Sequence, residues 1–143
     1  MIAVGDFMTK DLVTVRETDD LALAESLLKL GGIRHLPVVR GRKLVGILTQ
    51  RDVLRCGQWG TPAARALPVS EIMTLEPTCV RPSMGLSQVA RLMLERKFGC
   101  LPVCEDDGTL VGIVTEADFV RFAADVVQDL DMMTQAAGAS ERA

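Results

Sequence analysis

Two threonine–aspartate pairs, Thr49 with Asp52 and Thr115 with Asp118, stand in matching contexts: Gly46-Ile47-Leu48-Thr49-Gln50-Arg51-Asp52 and Gly112-Ile113-Val114-Thr115-Glu116-Ala117-Asp118. An apolar run closing on Thr-x-x-Asp reads as a strand passing into a helix, the threonine acting as N-cap and the acid satisfying orphan amides of the first turn. That structural use accounts for the motif by itself. The same placement also permits chemistry, because a carboxylate at a helix N-terminus accepts two hydrogen bonds from a vicinal diol such as ribose, and the threonine hydroxyl adds a third polar contact. Such charge-assisted bonds contribute about 1.5–3 kcal/mol each where water is excluded. Gly46 and Gly112 would let a ligand ring or a neighbouring backbone approach closely, or would mark a bulge.

The remaining chemical inventory is sparse. His35 is the single histidine, and Cys56, Cys79, Cys100 and Cys104 contain no C-x-x-C, so no metal site is expected. The cysteines read as free core thiols, and a redox or metal role would need a spatial convergence that the sequence does not show. No residue is assigned a catalytic role, since the histidine has no paired nucleophile and the acids fall in caps and turns.

The elements that position the two pairs are themselves duplicated. Met8, Thr9, Val15, Arg16, Leu21, Leu36, Pro37 and Val38 recur 65 residues on as Met73, Thr74, Val80, Arg81, Leu86, Leu101, Pro102 and Val103. After one inserted residue the offset becomes 66, and Leu44 to Ile47, Thr49, Asp52 and Arg55 recur as Leu110 to Ile113, Thr115, Asp118 and Arg121. The slip falls in a turn, Arg40-Gly41-Arg42 against Asp106-Asp107-Gly108, where Asp-Gly supplies positive φ for a hairpin. Each copy reads as an extended piece (Leu12–Val15; Thr78–Val80), then a helix with apolar residues at Leu21, Ala24, Leu27 and Leu28 or Leu86, Val89, Leu92 and Met93. Gly31-Gly32 and Gly99 are the expected helix stops. A Leu-Pro-Val strand follows, at an edge or beginning at its proline, then a central apolar strand and a second helix.

The fold class is therefore α+β: two pseudo-symmetric β-α-β-β-α repeats, residues 1–57 and 71–133, sharing one core. Residues 58–70 read as a Gly/Pro-marked linker whose Trp59 packs over the repeat junction or is left as a contact for a partner, and residues 134–143 as a disordered tail. The last helix carries Phe119, Phe122, Val126, Leu130 and Met133 as an apolar stripe, for its own core or a dimer seam. Composition agrees with a packed chain, 48% apolar and 24% charged, with a net charge of −3 that gives no basic field for duplex nucleic acid. No run approaches a membrane span and no signal peptide is read, so a cytoplasmic protein is expected.

Taken together, the Met-Thr openings, the Leu-Pro-Val strands and the two Gly-x-x-Thr-x-x-Asp junctions resemble a tandem cystathionine β-synthase (CBS) domain pair, the Bateman module. The resemblance covers residues 7–55 and 72–121. It implies repeats packed sheet to sheet, with two clefts that take AMP, ADP, ATP or S-adenosylmethionine, and a regulatory rather than catalytic role. Carried over by position, Asp52 and Asp118 would hold ribose hydroxyls, supported by Thr49 and Thr115. Ile47 and Ile113 would supply apolar walls. Val13 would lie near Asp118 and Thr78 near Asp52, against the adenine. Arg34, His35 and Arg51 would meet phosphates; on their own they also read as two solvated cations and a structural histidine. Because the second repeat has Gly99, Cys100 and Ala117 at those places, one cleft should favour a phosphorylated ligand. The expected partners are an adenosine-type small molecule, a second copy in a homodimer, and a regulated protein. The alternative is a dimerisation or docking module whose clefts stay empty.

Overall fold

The apolar runs flanking each turn fold as antiparallel hairpins, and each hairpin carries a helix on either end. In the computed structural model, which describes residues 1–57 and 61–142, the order is α1 (Val4–Phe7), β1 (Val15–Arg16), α2 (Leu21–Gly31), β2 (His35–Arg40), β3 (Lys43–Thr49), α3 (Gln50–Gly57), α4 (Pro62–Arg65), β4 (Thr74–Leu75), α5 (Leu86–Arg96), β5 (Cys100–Cys104), β6 (Leu110–Thr115) and α6 (Glu116–Arg142). A single 3-10 turn, Val69–Glu71, precedes β4. The protein is α+β with two related units packed together. Trp59 lies outside the described residues.

The duplication in sequence is a duplication in space. β1 runs parallel to β2 with Val15 opposite Val38, and Val80 makes the corresponding parallel bridge to Val103. β2 and β3 pair with a bulge at Val38/Val39, and β5 and β6 repeat it at Val103/Cys104. The hairpins meet at their tips, where Leu44 N–H donates to Gly108 O and Leu110 N–H to Arg42 O.

Each unit also borrows the segment that precedes the other. Thr74 of β4 pairs with Ile47, whereas Thr9 bridges Ile113. The exchange fills two cores rather than the one expected. Val15, Leu21, Ala24, Leu28, Leu36, Val38 and Leu48 cluster with Val69, while Val80, Leu86, Val89, Met93, Leu101, Val103 and Val114 cluster with Val4. Gly46 and Gly112 are explained by this crossing. A Cβ on Gly46 would stand 2.5 Å from Met73 Sδ and 3.0 Å from Thr74 O, and one on Gly112 would run into the Met8 thioether. The glycines admit a neighbouring chain segment, not a ligand ring.

Several boundaries differ from the sequence reading. The proline strand is not at an edge: β2 lies between β1 and β3 and starts at His35. Pro102 turns its carbonyl, and so its nitrogen, toward the short parallel partner, whose Val80 N–H donates to that carbonyl; no ladder donor is forfeited. Gly32 (φ 58°) closes α2, but α5 closes on Lys97 (φ 56°), two residues before Gly99. The segment read as a linker holds α4, and Val69 N–H donates to Asp19 O while Leu21 N–H donates to Leu67 O, fastening it to α2. α6 continues to Arg142, beyond the expected end at Met133, because no proline or turn cluster interrupts it. Phe7 anchors its start, with ring centroids 5.2 Å from Phe119 and 5.5 Å from Phe122.

Candidate ligand-binding site

Thr49 and Thr115 end their strands as N-caps, and the helices begin one residue later. Thr49 N–H donates to Asp52 Oδ2 at 2.9 Å, and Asp52 N–H donates to Thr49 Oγ1 at 3.1 Å. Thr115 and Asp118 repeat the reciprocal pair at 2.9 and 3.4 Å. The capping use of the motif is thus realised in both copies, yet it engages one oxygen of each carboxylate. An ionised carboxylate has two oxygens and about four lone-pair sites, so Oδ1 retains capacity for a ligand. On Asp118 that oxygen faces Arg121 Nη1 at 3.4 Å, the aspartate side chain being 15% exposed and the arginine 71%. So long and exposed a pair is easily exchanged.

Beside Asp118 lies a cavity of about 870 Å³, within the roughly 300–1,000 Å³ usual for small-molecule sites. One wall is the β6–α6 junction with Ile113, Thr115, Glu116 and Asp118; the other is the first repeat, through Asp11 to Val13 and the α2–β2 turn from Gly32 to His35. The extended piece expected at Leu12–Val15 joins the sheet only from Val15, which leaves Leu12 and Val13 to face this space. Gly99 makes room for the histidine, since a Cβ there would sit 3.1 Å from His35 Nε2. Burial holds the His35 imidazole below its ordinary pKa, with Glu116 opposing and Arg34 reinforcing the shift. At neutral pH His35 therefore offers the cavity one donor and one acceptor and no charge.

The cavity gathers Val13, Arg34, His35, Ile113, Thr115 and Asp118 of the residues picked out from sequence. It does not include the others. Thr49 and Asp52 form the matching junction in the first repeat, Ile47 is buried opposite Pro37 and Thr74, and Arg51 and Thr78 are exposed. Asp11, Glu116 and Arg121 were missed as lining residues. Arg121 carried a legible signal, being one helical turn beyond Asp118 and repeated at Arg55, whereas Asp11 reaches the site only through the long-range packing of the units.

Cys56 and Cys104 are buried, Cys79 and Cys100 half-buried, and all are free. Burial pushes the Cys100 thiol up to about 12. Among the described residues no three histidine, cysteine or acidic side chains converge as a metal cluster. Also among them, no helix is long and apolar enough to cross a membrane.

The duplicated hairpins, crossed leader segments and paired Thr-x-x-Asp caps coincide with the spans on which the CBS domain is recognised, residues 4–57 and 69–125. The chain belongs to the CBS-domain family. A putative acetoin utilization protein (AcuB) from Vibrio cholerae superposes with a TM-score of 0.83 at 38% identity, over 92% of this chain and 97% of that one. The CBS pair of CBSX2 from Arabidopsis thaliana, solved in complex with AMP, gives 0.78 at 35% identity over 88% and 98%. The CBS domain pair of protein MJ0100, solved with 5'-methylthioadenosine and S-adenosylmethionine, gives 0.77 at 28% identity over 87% and 98%. An inosine-5'-monophosphate dehydrogenase of Korarchaeum cryptofilum is 38% identical over 78% of this chain, but the chain spans only 22% of that enzyme's length.

Proposed function

We propose that this CBS pair is a regulatory module that binds an adenosine-containing ligand, AMP, ADP, ATP or S-adenosylmethionine, and that it catalyses no reaction. The observation that carries the reading is the cavity beside a capped acid with a spare oxygen, faced by Val13, Arg34 and His35 of the other repeat. The ribose hydroxyls donate to Asp118 Oδ1 in place of Arg121, with Thr115 as neighbour. The adenine lies between Val13 and Ile113. Arg34 and His35 meet the 5' substituent, so this cleft prefers a phosphorylated ligand. Thr49, Asp52, Ile47 and Thr78 take the corresponding parts in the second cleft, with Arg51 at its rim. The AMP and S-adenosylmethionine complexes of the related pairs support the ligand class.

The test is a set of thermal melts with AMP, ADP, ATP, S-adenosylmethionine and 5'-methylthioadenosine. A ligand at a hundred times its Kd adds about 2.7 kcal/mol to stability, so at least one compound raises Tm, and Asp118→Asn shrinks that shift. Each nucleotide is recovered intact after incubation. A panel without any shift removes the sensor reading.

A second reading, docking, is favoured by α6, whose Val126, Val127, Leu130 and Met133 are all exposed, Leu130 at 56% and Met133 at 68%. The partner we assign to this stripe is a second copy of the chain. Ligand in the clefts would bias the geometry of the repeats, and the second copy or a regulated protein would read it. Light scattering across a dilution series should show a dimer that Leu130→Glu dissociates.

A further inference from the structure

Cys79 and Cys104 stand 25 residues apart in sequence and 3.5 Å apart at their sulfurs. We propose that they form a reversible intramolecular disulfide, an oxidation site separate from the ligand clefts. Backbone bonds hold the two together: Val80 N–H donates to Pro102 O at 3.0 Å, and Cys104 N–H donates to Val80 O at 2.9 Å. The sulfurs are thus brought near by a parallel bridge rather than by a mobile loop. Bond formation requires closing to about 2.0 Å, a movement of about 1.5 Å within reach of side-chain torsions.

Accessibility assigns the order of events. Cys79 is half-buried and reachable by a small oxidant, whereas Cys104 is 1% exposed. The Cys104 thiol donates to Cys79 Sγ, which lowers the Cys79 pKa; partial burial opposes this and the Arg81 charge assists it. The same bond pushes the Cys104 thiol up. Arg81 is itself held in place, donating to Cys104 O at 3.3 Å and Glu105 O at 3.1 Å and pairing with Asp106 at 2.8 Å. Cys79 is therefore the thiolate that attacks and Cys104 the thiol that resolves. With a peroxide as oxidant, Cys79 Sγ takes one oxygen, the O–O bond breaks, and hydroxide leaves. Cys104 Sγ then attacks Cys79 Sγ, forming the S–S bond and breaking the S–O bond, and its proton leaves with the displaced oxygen as water, while the proton that Cys79 gave up on ionising neutralises the first hydroxide. Two thiols and one peroxide give one disulfide and two waters. Cys56 belongs to the first repeat's core and Cys100 to the opposite end of β5, so neither competes.

The experiment treats the whole folded chain with hydrogen peroxide, blocks remaining thiols and maps the peptides by mass spectrometry. The expected product links Cys79 to Cys104 within one chain, leaves Cys56 and Cys100 free, and is reversed by dithiothreitol. In Cys104→Ser, Cys79 stops at sulfenic acid, which dimedone traps; where that variant fails to fold, Cys79→Ser, altering the less buried partner, must abolish the cross-link while the other thiols stay reduced. Oxidation that leaves both cysteines free, or that joins either to Cys56, Cys100 or a second chain, overturns the proposal.

Discussion

The two repeats share their frame and differ in what they aim at the cleft. In both, a threonine–aspartate cap starts the helix after the central strand, and the hairpins match down to the same bulge. The divergence is chemical. Where the first repeat places Arg34 and His35, the second has Gly99 and Cys100, and Gly99 is the notch that receives His35. Asp118 has Arg121 leaning on its spare oxygen, and its helix runs 27 residues against 8 for α3. A duplicated scaffold thus supplies one position twice, and Arg34 and the uncharged His35 of one copy line the same cavity as Asp118 of the other. Symmetry holds where the chain packs and lapses where it would meet a ligand.

The largest effects should be symmetric. Leu36→Ala and Leu101→Ala each delete a fully buried side chain, and each should cost about 2–5 kcal/mol. Urea denaturation followed by circular dichroism should show one transition for both, because Val69 and Val4 are exchanged between the cores; two resolved transitions would break the equivalence. Next comes an asymmetric effect, in which Asp118→Asn weakens binding of AMP roughly ten- to hundredfold. The same change at Asp52 should affect AMP less in calorimetric titration, because Arg34 and His35 face the other cleft. Gly46→Ala and Gly112→Ala return to symmetry, each losing about 1–3 kcal/mol by forcing Met73 or Met8 aside. Full ligand affinity in the surviving folded fraction would confirm that these glycines serve packing.

Smaller still, Arg34→Ala should cost AMP up to about 1 kcal/mol of binding and leave 5'-methylthioadenosine unchanged, since the exposed guanidinium acts on phosphate alone. The last effect concerns pH. Burial lowers the folded pKa of His35 below 6.5, so between those values the unfolded chain binds more protons and stability rises with pH. This contribution is complete above pH 6.5 and is lost as pH falls through the lowered value. Melts from neutral to mildly acid pH should slope in that direction, and His35→Asn should flatten the slope; Cys100, its counterpart, has no such titration there.

Much of this was legible in the residues. The constant offset gave the repeats, the one-residue slip placed the hairpin turns, and the apolar spacing marked the buried faces of α2 and α5. What escaped was long-range. Nothing local to Met8 or Met73 says that each fills the space over a glycine in the other unit, so the sequence left Gly46 and Gly112 open to a ligand ring, a neighbouring backbone or a bulge. Gly99 looked like a helix stop, but Lys97 adopts the left-handed turn itself and frees the glycine to accommodate His35. Six of the eleven named site residues meet in one cavity because Val13, Arg34 and His35 face the opposite repeat, whereas Arg51 is exposed and outside that lining. The approach of Cys79 to Cys104 depends on a parallel bridge of one residue pair, Val80 with Val103, and the extended reading of Thr78–Val80 does not name that partner.

The central claim is that a helix-capping aspartate lends its remaining oxygen to the ribose of an adenosine ligand. Calorimetric titration of the chain with AMP and with 2',3'-dideoxy-AMP addresses it most directly, because only the diol differs. AMP should bind at least about tenfold more tightly, the loss of one or more charge-assisted hydrogen bonds, and Asp118→Asn should erase the difference. Equal affinity for the two compounds would contradict the account.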